Sequence, residues 1–346
     1  MIQSGHARVE TTTIASDRPR WQKELGRAIT TPEALCQRLS LPESMIAGMA
    51  AGHRQFPIRA PEPWLQRIEP GNPDDPLLRQ ILPFPEEGED HTGYVSDPLE
   101  EVSGDDASAA SGLVHKYASR ALLMVTGACA INCRYCFRRH FPYDEHQLGG
   151  SGWDEALARI QADPAINEVI FSGGDPLASP DRLLARLAAA VAAIPTVQRL
   201  RIHTRLPVVI PQRVNADLLE WLSQTPLQKV LVLHINHPAE IDDDVRRALR
   251  ALADTGATLL NQAVLLRRIN DNAETLERLS ERLFECGVLP YYLHAFDPIA
   301  GAAHYDTGDE KARELARQLI ERLPGFLVPR LVREIPGAPA KQPLNL

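Results

Sequence analysis

Short apolar runs alternate with longer stretches of helical period from about residue 120 onwards. Six runs have the length and apolar content of buried strands. They are ALLMVTG, NEVIFSGG, VQRLRIHT, KVLVLHIN, TLLNQAVLL and PYYLHAF. Each precedes a helical pattern, in order WDEALARIQA, PDRLLARLAAAVAAI, ADLLEWLSQ, DDDVRRALRALADTG, AETLERLSERLFECG and EKARELARQLIERLP. Strand then helix, six times, predicts parallel strands joined by right-handed crossovers.

Six such units are too few to close an eight-stranded barrel. They predict an α/β fold with an open, partial (β/α)6 barrel of TIM type, whose chemistry lies at the C-terminal ends of the strands. The Pro-rich first hundred or so residues contain the helical patterns WQKELGRAI and EALCQRLSL, and SDPLEEVSGDDASAASG predicts a solvated loop. We therefore predict a helical extension over 1–110, the barrel over 111–325 and a C-terminal segment over 326–346.

Composition narrows the class of protein. The chain has 346 residues, 44% of them hydrophobic, with no apolar run of about 20 residues and no secretory pattern at its start, so we expect a cytoplasmic protein and no membrane partner. A net charge of −8 disfavours nucleic-acid binding and favours a small-molecule substrate. The five cysteines do not form a disulfide framework, and we expect Cys36 and Cys286 to be packing residues.

Three cysteines follow the first predicted strand in TGACAINCRYCFRRHF, where Cys129, Cys133 and Cys136 form the pattern CxxxCxxC. Three thiolates at this spacing can bind a four-iron cluster and leave its fourth iron open to a small chelating molecule. A structural zinc site is the alternative, with His140 or His146 as the fourth ligand. Charged residues flank the loop, so we do not expect unliganded cysteines of an apolar core. These residues include Arg134, Arg138 and Arg139.

Two further segments carry candidate chemistry. Gly173, Gly174 and Asp175 end the second predicted strand, where glycines permit a tight turn and the carboxylate is also an acceptor for a cation. Lys341 is the single lysine of the Pro- and Gly-rich stretch VREIPGAPAKQPLNL. From composition alone, Lys341 is expected to be a solvated surface residue.

The cysteine loop, with Tyr135 before its last cysteine, resembles that of the radical SAM superfamily. The resemblance implies a [4Fe-4S] cluster whose open iron chelates S-adenosylmethionine (SAM), which is then cleaved to a 5′-deoxyadenosyl radical. It also implies that Gly173, Gly174 and Asp175 receive the amino group of SAM.

Over nearly its whole length the chain resembles the lysine 2,3-aminomutase family. There, a lysine after a Pro-Gly turn forms the Schiff base with pyridoxal 5′-phosphate (PLP), and Lys341 matches it, although PGAPAK replaces a more glycine-rich stretch. Tyr117 matches a tyrosine that lies against the PLP ring. His234 and Gln262 match residues around PLP and SAM, although a histidine at a strand end is also a common core residue.

The same resemblance assigns the substrate contacts. Arg138 matches the arginine that holds the substrate carboxylate, a task suited to a bidentate guanidinium. Asp297 and Glu334 match the two acids that take the ε-ammonium of lysine, although the second is an aspartate in clostridial enzymes. From the residues alone, Asp297 before Pro298 also suits a turn, and Glu334 a surface charge.

The resemblance implies an isomerase that converts L-α-lysine into (R)-β-lysine, with a flavodoxin or ferredoxin as reducing partner. Because the chain stops five residues after Lys341, it resembles the branch that makes β-lysine for β-lysylation of elongation factor P, in conjunction with a lysyl ligase. The alternatives are a catabolic lysine 2,3-aminomutase or related aminomutase, a radical SAM activase or methylthiotransferase without PLP, and a non-enzymatic zinc-binding adaptor.

Overall fold

The computed structural model describes residues 18–102, 112–143 and 150–346. Its strands are β1 Leu113–Tyr117, β2 Arg120–Thr126, β3 Glu168–Gly173, β4 Arg199–Thr204, β5 Gln228–His234, β6 Thr258–Val264, β7 Val288–His294, β8 Arg330–Arg333 and β9 Gln342–Pro343. Its α-helices are α1 Arg20–Gly26, α2 Pro32–Leu39, α3 Met45–Gln55, α4 Glu62–Leu65, α5 Gly150–Ala162, α6 Asp181–Ala192, α7 Leu206–Val209, α8 Ala216–Gln224, α9 Asp243–Asp254, α10 Ala273–Glu285 and α11 Asp309–Arg322.

One sheet contains all of these strands in chain order, parallel from β2 to β8 and antiparallel at each edge. Strands β2 to β7 coincide with the six predicted runs, and a helix follows each, which confirms the predicted α/β pattern. Within the described residues the sheet runs from β1 to β9 without a pairing between these edges, so the barrel is open, as predicted.

Three strands were not predicted. β8 continues the parallel sheet as a seventh member, and β1 and β9 flank it. The strands β1, β8 and β9 have five, four and two residues, so each is shorter than the six predicted runs of seven to nine residues and gives no clear strand signal.

Capped helices return the chain across the sheet. The side chains of Asp242 and Asn272 precede α9 and α10 and accept hydrogen bonds from backbone N–H groups at 2.8 and 2.9 Å. Such caps define where a helix begins. Leu184, Leu187 and Val191 of α6 lie on one buried stripe, as helical period requires.

The extension is helical, as predicted, with α1 and α2 at the two expected patterns and α3 in addition. Two glycines within α3 weaken its helical signal. Cys36 and Cys286 are buried, which confirms their packing role. The predicted boundary after residue 110 lies outside the described residues, and the predicted C-terminal segment supplies β8 and β9 to the common sheet. No helix in the described part of the chain is long and apolar enough to cross a membrane.

Candidate active site

A cavity of about 310 Å³ opens at the C-terminal ends of the parallel strands. It is lined by every residue that the sequence assigns to the iron–sulfur cluster, SAM, PLP or the substrate. These residues are Tyr117, Cys129, Cys133, Cys136, Arg138, Gly173, Gly174, Asp175, His234, Gln262, Asp297, Glu334 and Lys341.

The three cysteines lie on the loop that follows β2. Burial raises the pKa of Cys129, and the neighbouring Cys136 raises it further; burial followed by Cys133 raises the pKa of Cys136 to about 11. Cys133 Sγ accepts a hydrogen bond from Arg205 Nη1 at 2.8 Å. Since thiolates at these positions repel one another, a cationic centre that binds all three would relieve the repulsion.

The zinc alternative gains no fourth ligand from His140. Its Nε2 atom lies 3.1 Å from the carbonyl oxygen of Ala300, and His140 does not line the cavity. His146 lies outside the described residues. Across the part of the chain that is described, no three or more His, Cys, Asp or Glu side chains are arranged for a single metal ion.

The glycine turn after β3 binds the cysteine loop. Gly174 N donates to Thr126 O at 2.7 Å and Asp175 N donates to Ala128 O at 2.9 Å. A Cβ on Gly173, whose φ is +122°, would lie 2.3 Å from Thr126 O, and one on Gly174 would lie 2.6 Å from Ala128 O. Only glycine permits this approach, so the turn sets the position of the cysteine loop.

The carboxylate of Asp175 accepts four hydrogen bonds from the protein itself. Its Oδ1 accepts from Leu177 N and Thr204 Oγ1 at 3.0 and 2.7 Å, and its Oδ2 accepts from Arg205 N and Leu206 N at 2.7 and 2.8 Å. The carboxylate therefore ties the turn after β3 to the turn after β4.

Lys341 and Glu334 face each other across the β8–β9 hairpin. Arg333 pairs with Gln342 in the ladder, so the residues one step further are Glu334 and Lys341, which form an ion pair. Tyr117 Oη also donates to Glu334 Oε1 at 3.1 Å. Burial is the largest single effect and acts to raise the pKa of Glu334, but the charge and hydrogen bond of Lys341, together with Lys116 and Tyr117, lower the pKa overall.

Asp297 is the second acid of this region. Its Oδ1 is buried and has no hydrogen-bond partner among the described residues. Burial, followed by the nearby Glu334 carboxylate, raises the pKa of Asp297 to about 7. The two acids therefore differ in charge near neutral pH: Glu334 is ionised, and Asp297 is divided between its two forms.

His234 and Gln262 are neighbours across β5 and β6, with Nε2 of each 3.0 Å apart. Burial, followed by Arg205 and Arg138, lowers the pKa of His234 to about 3, so its imidazole is neutral. His203 and His294 line the same cavity, and their Nε2 atoms are buried without a partner in the described part of the chain. Both were missed from the sequence, although each lies in a predicted strand run.

Arg138 of the cysteine loop has a buried acidic partner. It forms a buried bidentate ion pair with Glu101, and the loop's Arg134 and Arg139 pair with the buried Glu87. The sequence predicted that these arginines exclude an apolar core around the cysteines, and their buried acidic partners Glu87 and Glu101 agree with that prediction. Glu101 was missed because its acidic segment predicts a solvated loop, and Arg205 was missed because it follows β4 without a motif.

Comparisons with known proteins agree with this geometry. The family profile of the radical SAM superfamily matches residues 123–283. The L-lysine 2,3-aminomutase of Escherichia coli (strain K12) is 48% identical over 97% of each chain. That of Haemophilus influenzae is 46% identical over 95% of this chain and 96% of its own, and that of Clostridium subterminale is 33% identical over 94% of this chain and 77% of its own. This chain therefore belongs to the lysine 2,3-aminomutase family of radical SAM enzymes.

Proposed function

We propose that the protein is a PLP-dependent L-lysine 2,3-aminomutase that converts L-α-lysine into (R)-β-lysine. One observation carries the proposal: the three cysteines of the loop after β2 and the distant Lys341 line the same cavity. Migration of an amino group by radical chemistry requires a radical source beside a group that holds the amine. The cofactors carry the difficult chemistry, and the protein orients them.

Cys129, Cys133 and Cys136 would hold a [4Fe-4S] cluster, and the donor set fits this group, since three thiolates leave one iron open. The cluster and SAM would together supply the radical that removes a hydrogen atom from the substrate. Gly173 and Gly174 line the cavity and are the proposed contacts of the SAM amino group. Because four protein donors occupy Asp175, its proposed contribution is to hold the surrounding turns.

PLP would be held by the side-chain nitrogen of Lys341, and the neighbouring groups fit this cofactor. The Arg120 guanidinium lies 4.1 Å from the centroid of the Tyr117 ring and is a cation suited to a phosphate group. The Nε2 atoms of His203 and His294, which have no hydrogen-bond partner among the described residues, would be satisfied by a polar ligand. When bound, PLP would supply the conjugated system through which the amino group migrates, with His234 and Gln262 on the cavity wall.

The charges of the cavity residues indicate which of them would contact the substrate. Glu334 already binds the alkylammonium group of Lys341, which is the chemical group that lysine carries at its far end. Once Lys341 holds PLP, Glu334 loses this partner, and the ε-ammonium of the substrate would replace it, with Asp297 as the second acid. Arg138 would hold the substrate carboxylate. A substrate with a carboxylate in place of the ε-ammonium would be repelled by the two acids.

Borohydride reduction of PLP-loaded protein, followed by peptide mapping, tests this proposal. We expect a reduced adduct on Lys341 and none on Lys311, an exposed lysine of α11 that is paired with Glu314. Anaerobic incubation of the reduced protein with SAM and L-lysine should then yield β-lysine. A map without an adduct on Lys341 would favour a radical SAM enzyme that does not use PLP, and zinc without iron or sulfide would favour the adaptor.

For the fate of the product, we propose β-lysylation of elongation factor P by a partner ligase, with a flavodoxin or ferredoxin as the electron donor. This part of the proposal rests on the family resemblance of the sequence motifs. The test combines the protein, a lysyl ligase and elongation factor P, and measures the mass of the intact factor. A β-lysyl gain with free L-lysine as the source would support the assignment. Free β-lysine without transfer to the factor would favour the catabolic alternative.

A further inference from the structure

Glu101 is a buried acid that lines the cavity and that no motif identifies. Its Oε2 and Oε1 accept from Nε and Nη2 of Arg138 at 2.6 and 2.9 Å, and Lys116 Nζ lies 3.3 Å from Oε1. The side chains of Glu101 and Arg138 are 6% and 9% exposed. Asp97 fixes the backbone of this turn, since its carboxylate accepts from the N–H groups of Glu101 and Val102.

The opposite side of the Arg138 guanidinium is held by the barrel. Nη1 donates to the carbonyl of Gly173 at 3.2 Å and makes a longer contact of 3.4 Å with Ser172 Oγ. A guanidinium has five N–H donors, two on each terminal nitrogen. Glu101 accepts from Nε and from one N–H of Nη2, and Gly173 accepts from one N–H of Nη1. The second N–H of Nη2, and the N–H of Nη1 that makes only the long contact with Ser172, remain for a ligand.

We propose that Glu101 is a positioning residue for substrate binding: it orients Arg138 so that the two terminal nitrogens are presented to the carboxylate of the incoming amino acid. The inference rests on the proposed role of Arg138 and deepens it. Exchange of Glu101 for the substrate carboxylate is the competing arrangement. It is disfavoured because it would leave the buried Glu101 with only Lys116 as a cationic partner.

The balance of charges also favours an arrangement in which Glu101 keeps its contact with Arg138 when the substrate binds. Lys116 lies beside two acids, Glu101 at 3.3 Å and Glu334 at 3.9 Å, whereas Glu101 is the acidic partner of Arg138 among the described residues. The substrate carboxylate would supply a second acidic partner for Arg138. A ligand that has the same amines but no carboxylate should therefore bind equally well with or without Glu101. This difference between the two ligands distinguishes a positioning role of Glu101 from general support of the fold.

The test measures equilibrium binding to the holoenzyme with its cluster oxidised, so that no turnover occurs. Titration calorimetry compares L-lysine with L-lysinamide, which lacks the carboxylate. We expect Glu101→Gln to weaken L-lysine binding about tenfold and to leave L-lysinamide binding unchanged. Glu101→Asp should restore part of the loss. Glu100→Gln, at the exposed neighbouring position, should bind both ligands as the unaltered protein does.

Iron content and reductive SAM cleavage confirm that each variant is assembled. Tighter or unchanged L-lysine binding by Glu101→Gln would overturn the proposal, and so would an equal loss for both ligands. Arg138→Gln separates this outcome from failure of the underlying assignment. If Arg138→Gln leaves L-lysine binding intact, the carboxylate role of Arg138 is itself wrong. If only Arg138→Gln weakens binding, Arg138 keeps its role and the proposal for Glu101 fails.

Discussion

At the scale of single residues, two acids in one cavity have opposite electrostatic surroundings. Glu334 lies beside Lys341, with Lys116 Nζ 3.9 Å away, and its pKa is lowered against the effect of burial. Among the described residues no side chain forms a salt bridge with Asp297, and burial together with the Glu334 carboxylate raises its pKa to about 7. A pair of this kind suits a cationic ligand, because the ligand's charge would stabilise the ionised form of the second acid.

This contrast predicts a pH dependence of L-lysine binding. Asp297 is mainly protonated and neutral below its pKa of about 7, so binding should weaken as the pH falls below that value and level off above it. Asp297→Asn should bind L-lysine about tenfold more weakly at pH 8 and lose most of this dependence. Calorimetry across a pH series measures both effects. An unchanged profile in the variant would show that another group is responsible.

At the scale of elements, the loops that follow neighbouring strands are joined to one another by hydrogen bonds. The cysteine loop after β2 is bound by the backbone N–H groups of Gly174 and Asp175 after β3, and Asp175 in turn accepts from the turn after β4. A parallel sheet brings these loops to one edge, and the hydrogen bonds between them set the positions of the thiols.

Gly174→Ala should therefore disturb the cysteine loop more than the strands. The added Cβ would meet carbonyl oxygens of the loop backbone at 2.6 Å, which cannot move as a flexible side chain would. We expect a loss of stability of about 1–3 kcal/mol and a reduced iron and sulfide content after anaerobic reconstitution. Gly325→Ala is the matched control, because a Cβ there meets nothing within 4 Å. Full cluster content in Gly174→Ala would contradict this view of the turn.

At the scale of the whole molecule, the N-terminal extension and the cysteine loop share a buried ionic cluster. Glu87 accepts from Arg134 Nε at 2.9 Å and from Arg139 Nη2 at 2.7 Å, and all three side chains are fully buried. Arg134 also donates to the carbonyls of Phe56 and Gly52. The extension thus supports the loop that carries the proposed cluster ligands.

Glu87→Gln removes the negative charge between two buried cations. We expect the free energy of unfolding to fall by about 3–5 kcal/mol, since a buried charge that loses its partner is costly. Glu86→Gln alters the exposed neighbour and should unfold like the unaltered protein. Urea unfolding followed by circular dichroism, together with iron analysis, measures the effect. Equal midpoints for the two variants would show that the ionic cluster does not couple the extension to the barrel.

The strands that the sequence reveals are those whose signal is local. β2 to β7 are apolar runs followed by helical patterns, so hydrophobic periodicity was sufficient to identify them. β1 and β8 are short and partly charged, and they form because the neighbouring strand supplies a pairing edge. Local periodicity carries no information about that edge.

The same division applies to the cavity. Close spacing and motif resemblance determined Cys129, Cys133, Cys136 and Lys341 as candidates from the sequence alone. The pairing of Arg138 with Glu101, and that of Lys341 with Glu334, was decided only by the tertiary structure. An ion pair depends on distance in space and on burial. The acidic segment around Glu101 contains no sequence pattern that indicates which residue Glu101 pairs with. The sequence by itself thus determined which residues are candidates for the chemistry, and the fold decided which charges meet, because folding brings together and desolvates side chains that are far apart along the chain.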